Sequence, residues 1–117
     1  MYAAQNLWQS AVATAPSPAT SGTTLVCHAG DGAYLTATPP FPVAIWAAGA
    51  APSLPAGNCE LALCTAVSTD TLTITRAQES TPARTIVAGD QIAAVVTAGF
   101  LASLNATDRI MRLILGS

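Results

Sequence analysis

From Asp70 to Ala77 the chain reads Asp-Thr-Leu-Thr-Ile-Thr-Arg-Ala, and no other stretch limits its fold as tightly. Leu72 and Ile74 fall on one parity, Thr71, Thr73 and Thr75 on the other. Successive strand residues point to opposite sides of a sheet, so this is a β-strand with one buried face. Threonine is branched at Cβ and suits the half-wet side of a pleat. Just upstream, Leu61, Leu63 and Val67 share one parity, with Glu60, Ala62, Cys64 and Ala66 on the other. Ser68-Thr69-Asp70 between the runs is turn chemistry, which predicts a hairpin.

One domain accommodates the 117 residues. Charged residues make up only 9% and lysine is missing altogether; the four cations are Arg76, Arg84, Arg109 and Arg112. With a net charge of −2 the chain lacks the basic stripe a nucleic-acid binder needs. Soluble domains carry about a quarter charged residues. A chain that is 51% apolar must therefore present a plain Ala, Thr and Ser exterior, and so little charge favours coverage by other subunits. No apolar run approaches the roughly 20 residues of a bilayer span. Met1 to Ala15 lacks the basic start and apolar core of a signal peptide, so the chain is expected to be made and assembled in the cytoplasm. Three cysteines, an odd number, fit reduced thiols better than a disulfide framework.

Residues 1–22 read as an N-terminal arm, in which Trp8 is an aromatic anchor before the extended linker from Pro16 to Gly22. Such an arm reaches out to a neighbour; the alternative is that Trp8 folds back on its own domain. Residues 23–97 form the β domain. Its expected strands run from Thr23 to His28, Val43 to Trp46, through the hairpin, Arg84 to Val87, and Ile92 to Thr97. Thr38-Pro-Pro-Phe-Pro42 interrupts ladder bonding and holds Phe41 between prolines. Phe41 and Trp46 are placed at a sheet edge. From Ala98 the period becomes helical, giving a short tail over residues 98–117. There Ile110, Met111, Ile114 and Leu115 cover too wide an arc for a lone surface helix. Trp8, Phe41, Trp46 and these four tail residues are the expected assembly interface.

Catalytic chemistry finds little footing. Cys27 and His28 are adjacent and face opposite sides of a strand, so the imidazole cannot take the thiol proton. Cys59 and Cys64 lie too far apart, on opposite parities, for a paired zinc knuckle. No catalytic residue, metal ligand or cofactor site is assigned. Asp70, Gly89 and Asp90 are turn-structuring, and Arg76 with Glu79 brackets the corner after the clearest strand, either as an Arg–carboxylate clamp on the loop or as a solvated pair that contributes almost nothing.

Several phrases together resemble a recurrent module of tailed-bacteriophage virion proteins. They are Thr24-Leu-Val-Cys-His-Ala-Gly-Asp-Gly32, Pro40-Phe41-Pro42 before an apolar strand, and Asp70-Thr-Leu-Thr-Ile-Thr-Arg-Ala-Gln-Glu79. Ala88-Gly-Asp90 and Thr97-Ala-Gly99 complete the set. Cys27 stands where valine would be typical and Ser80 where glycine would be. The resemblance spans about residues 8 to 104 and implies a β-rich, trimeric structural subunit without catalysis. The expectation is a mostly β chain, a small antiparallel β-sandwich or barrel with an extended arm and a short C-terminal helical tail. Its expected role is in the virion, decorating the capsid or joining a tail fibre or baseplate. Its partners would be copies of itself and the major capsid or tail proteins, with no nucleic acid and no membrane. The alternative is a carbohydrate- or host-receptor-binding module of a phage tail.

Overall fold

In the computed structural model, which describes residues 8–50 and 58–95, the Asp70 turn joins the two longest strands. In chain order the strands are β1 (Gln9–Thr14), β2 (Thr24–Cys27), β3 (Phe41–Trp46), β4 (Cys59–Ser68), β5 (Thr71–Gln78) and β6 (Gln91–Ala94). They close into an antiparallel barrel in the order β1-β2-β5-β4-β3-β6. The meander β3-β4-β5, with β6 returning beside β3, is a Greek key. Of the two expected architectures, sandwich and barrel, the closed barrel is the one formed.

β5 follows its alternation: Leu72 and Ile74 are buried, whereas Thr73 and Thr75 are exposed. On β4 the apolar parity of Leu61 and Leu63 does not face the lumen. Ala62 and Cys64 do, and a register irregularity between Cys64 and Ala66 brings Val67 back against the core. Beside them the lumen holds Leu25, Phe41, Val43, Ile45 and Ile92.

Four expectations are corrected. Gln9–Thr14, assigned to the arm, is a barrel strand between β2 and β6, because Ser10 and Val12 supply a small buried face. Trp8 does not reach outward; it is 4% exposed and packs in the core. Phe41 and Trp46 lie on no edge, since β3 is bonded to β4 on one side and β6 on the other. Pro42 sits within this strand: it offers no N–H, but its carbonyl accepts the Val95 N–H at 3.1 Å. Arg84 to Val87 forms no strand; side-chain bonds hold that segment instead. The tail residues Ile110, Met111, Ile114 and Leu115, like residues 1–7, lie outside the described residues.

Candidate functional site

Among the described residues, most of the charged side chains gather at the two ends of the barrel. At one end β4 starts and β5 finishes, and their register slips. Leu61 pairs with Gln78 and Leu63 with Thr75, so Arg76 and Ala77 together oppose Ala62. This is a bulge, and Ala77 takes the left-handed conformation at φ 54°. The bulge turns the Arg76 guanidinium and the Ala77 N–H toward one carboxylate, that of Glu60, which is fully buried. Arg76 donates from Nε to Oε2 at 2.8 Å and from Nη2 to Oε1 at 2.9 Å. The Ala77 N–H donates to Oε2 at 2.8 Å and the Arg84 N–H to Oε1 at 2.9 Å. Burial by itself would push the Glu60 pKa up. The hydrogen bond from Arg76 and the two backbone N–H groups outweigh it and hold the carboxyl below its ordinary value.

The same arginine ties down two further segments. Its Nη1 donates to the Gly22 carbonyl at 2.9 Å and its Nη2 to the Arg84 carbonyl at 2.8 Å. Arg84 in turn donates from Nη2 to Asp90 at 2.8 Å, and the same Asp90 oxygen accepts the Val87 N–H at 3.1 Å. Thus Glu60, Arg76, Arg84 and Asp90 form a neutral set that seals the end, with Ile86 buried beneath the segment that carries it. The expected Arg76–Glu79 pair is replaced: Arg76 bonds Glu60, and Glu79 is exposed with φ 54°. The sequence held part of the signal. Arg76 shares the parity of Leu72 and Ile74 and was directed into the lumen by it, whereas Glu60 shares that of Ala62 and Cys64, the face opposite the apolar Leu61 and Leu63.

At the other end Asp70 reaches across to the β2–β3 connection. Its carboxylate accepts the Gly32 N–H at 2.9 Å and the Gly30 N–H at 3.1 Å. Gly30 has φ 88°, and a Cβ on Gly32 would overlap the Thr69 carbonyl. Asp31 opens a short 3-10 turn, Asp31–Tyr34. Its carbonyl accepts the Trp8 indole N–H at 2.9 Å, and its carboxylate accepts the Ser10 hydroxyl at 2.6 Å. His28 Nδ1 lies 3.9 Å from the same carboxylate. Ser10, His28 and Asp31 meet in an order that fastens a turn: the hydroxyl gives its proton to the carboxylate and accepts the His28 N–H at 3.2 Å. Gly89, with φ 97°, and Asp90 lie in the turn into β6, and the Gly89 N–H donates to the Val12 carbonyl at 2.8 Å.

Cys27 and Cys64 are lumen residues and Cys59 lies on the outer side of β4; all three thiols are free and buried. Burial raises each of their pKa values, that of Cys64 to about 11. Among the described residues no three His, Cys, Asp or Glu side chains converge as a metal site, and no helix is long and apolar enough to cross a membrane.

Seven charged residues are described, and Glu79 alone among them is exposed. Tyr34 at 70% and Val87 at 51% are the large hydrophobics most open to solvent. Compared with protein-family models and with curated proteins, the chain matches none.

Proposed function

We propose that this barrel is a structural subunit of a tailed-bacteriophage virion that associates with copies of itself, as a trimer, and with capsid or tail proteins. The observation that carries the self-association is the distribution of charge. Among the described residues, the ions that would ordinarily repel neighbours and hold water are gathered at the barrel ends, with Glu79 alone exposed, and the outward Thr73 and Thr75 of β5 carry no charge. Burying such a face costs little desolvation of charge, and its apolar atoms return about 25 cal/mol per Å². A standard interface of about 800 Å² per partner then outweighs the entropy of association. The virion assignment rests on the resemblance of the β2, β5 and glycine-turn phrases.

Light scattering on the full chain at micromolar concentration tests the first claim. Three times the 11.8 kDa chain mass is expected, and a monomer mass overturns it. Electron microscopy of phage particles tests the second, with density for this barrel at symmetric positions on shell or tail as the expected result. The receptor-binding alternative has Tyr34 in its favour, exposed near His28 at the Asp70 end. Specific retention on a glycan array, lost in Tyr34→Ala, would favour it.

A further inference from the structure

β1 closes the barrel between β2 and β6, and the place it fills is matched to its side chains. The Asp31 carbonyl accepts the Trp8 indole N–H at 2.9 Å, and the Asp31 carboxylate accepts the Ser10 hydroxyl at 2.6 Å. Val12 is buried in the lumen. The backbone is held from both sides. The His28 N–H donates to the Ala11 carbonyl at 2.8 Å, the Val12 N–H to the Asp90 carbonyl at 2.7 Å, and the Ala94 N–H to the Trp8 carbonyl at 3.2 Å. A strand that fits here must present Trp, Ser and Val at alternate positions. Trp8-Gln-Ser-Ala-Val12 does so, whereas the other tryptophan, Trp46, is followed by Ala47, Ala48, Gly49 and Ala50.

Adjacent antiparallel strands are ordinarily linked by about 2–5 residues. Between β1 and β2 the link is nine residues long, from Ala15 to Thr23. Its second half belongs to the rest of the barrel: the Ala19 carbonyl accepts the Ile86 N–H at 3.3 Å, and the Gly22 carbonyl accepts Arg76 at 2.9 Å. Its first half, Ala15 to Pro18, carries two prolines, whose fixed φ favours extended backbone. Of these four residues Pro16 alone is buried. Extended, they reach about 13 Å, more than the roughly 10 Å between two packed sheets. We propose that β1 is exchanged between copies: residues 8–14 of one chain complete the barrel of its neighbour, and the exchange is passed on around the closed ring. Trp8 stays a core residue, in the neighbouring barrel. Every bond to β1 is remade there, so exchange gives up little beyond the packing of Pro16 and joins the copies through a shared core. The proposal rests on the self-association reading and names the segment each copy contributes.

Cys27 of β2 reports which chain supplies β1. It stands opposite Val12 in the ladder. The bond from the His28 N–H to the Ala11 carbonyl makes this a non-hydrogen-bonded pair, with Cα atoms about 4.5 Å apart and within disulfide reach. Val12→Cys in the full chain is oxidised and run on a non-reducing gel, and the bridged peptides are identified by mass spectrometry. Bridges from position 12 to Cys27 are expected between chains, giving covalent species up to three times the 11.8 kDa chain mass. Such a bridge within one chain, or none at all, overturns the exchange. A mixed sample gives a second reading. Chains carrying Val12→Cys and Cys27→Ser are unfolded in urea with native chains, refolded together and oxidised. Neither chain alone holds both thiols, so exchange yields a covalent dimer bridged from position 12 to Cys27, and its absence overturns the proposal. Light scattering before oxidation reads association separately. A trimer bridged within its chains removes the exchange and leaves self-association standing, whereas a monomer removes both.

Discussion

Glu60 shows how one side chain can join four pieces of chain. Its own strand, the end of β5, the segment before β6 and, through Arg76, the stretch at Gly22 all converge on one carboxylate. Glu60→Ala leaves the Arg76 guanidinium buried without its counter-ion, which costs about 3–5 kcal/mol. A lower urea midpoint in chemical denaturation measures the loss. The pKa shift fixes the sign of the pH dependence. The folded value is depressed, so its contribution is fully present above the unfolded value, about 4.3, and is lost as pH falls through the folded one. Acid titration of stability should therefore steepen below about pH 4 in the native chain and flatten in Glu60→Gln. Ala77 gives the opposite sign. At φ 54° it sits where an L side chain costs about 1 kcal/mol, so Ala77→Gly is expected to raise the melting temperature. A lowered melting temperature would show that the bulge relies on the Ala77 methyl group.

Among the elements, β5 was legible because its periodicity is strict and the turn before it is local. β4 was legible as a strand, but its two register irregularities and outward-facing Leu61 and Leu63 hid which side is buried. β1 was not legible: Gln-Ser-Ala-Val-Ala-Thr buries only Ser10 and Val12, a pattern that reads equally well as linker. Arg84-Thr-Ile-Val87 failed the other way, its β-branched residues announcing a strand. Its backbone instead bonds the Glu60 carboxylate, the Arg76 guanidinium and Ala19. Parity turned Arg76 inward, but the apolar pattern of Leu61 and Leu63 turned Glu60 outward, and the nearer Glu79 was the obvious partner along the chain. That choice ignored the Glu79 position beyond the end of β5. At the opposite end, the fit between the β2–β3 connection and the β4–β5 turn leaves no room for a methyl group. Gly32→Ala would drive a Cβ into the Thr69 carbonyl, and a loss of about 3 kcal/mol or more is expected by thermal unfolding. Asp70→Asn, which keeps an acceptor for one of the two glycine N–H groups and sets an NH2 group against the other, should cost less.

At the scale of the whole molecule, internal charge separates stability from surface interactions. The ion pairs at Glu60 and Asp90 are largely buried, with side chains 0% and 4% exposed, and salt reaches them poorly. Among the described residues, Glu79 is the one exposed charged side chain that salt could screen. The association state read by sedimentation should therefore stay constant from about 0.1 to 1 M salt. A strong salt dependence would reveal an electrostatic interface that the outer faces of the barrel do not present. Closing the ring of strands has a last consequence. Backbone amides and carbonyls in the ladder are satisfied by neighbours to left and right, so the barrel offers no template onto which a foreign strand can grow. Copies that meet on the barrel wall do so side chain to side chain, which favours bounded clusters over fibrils.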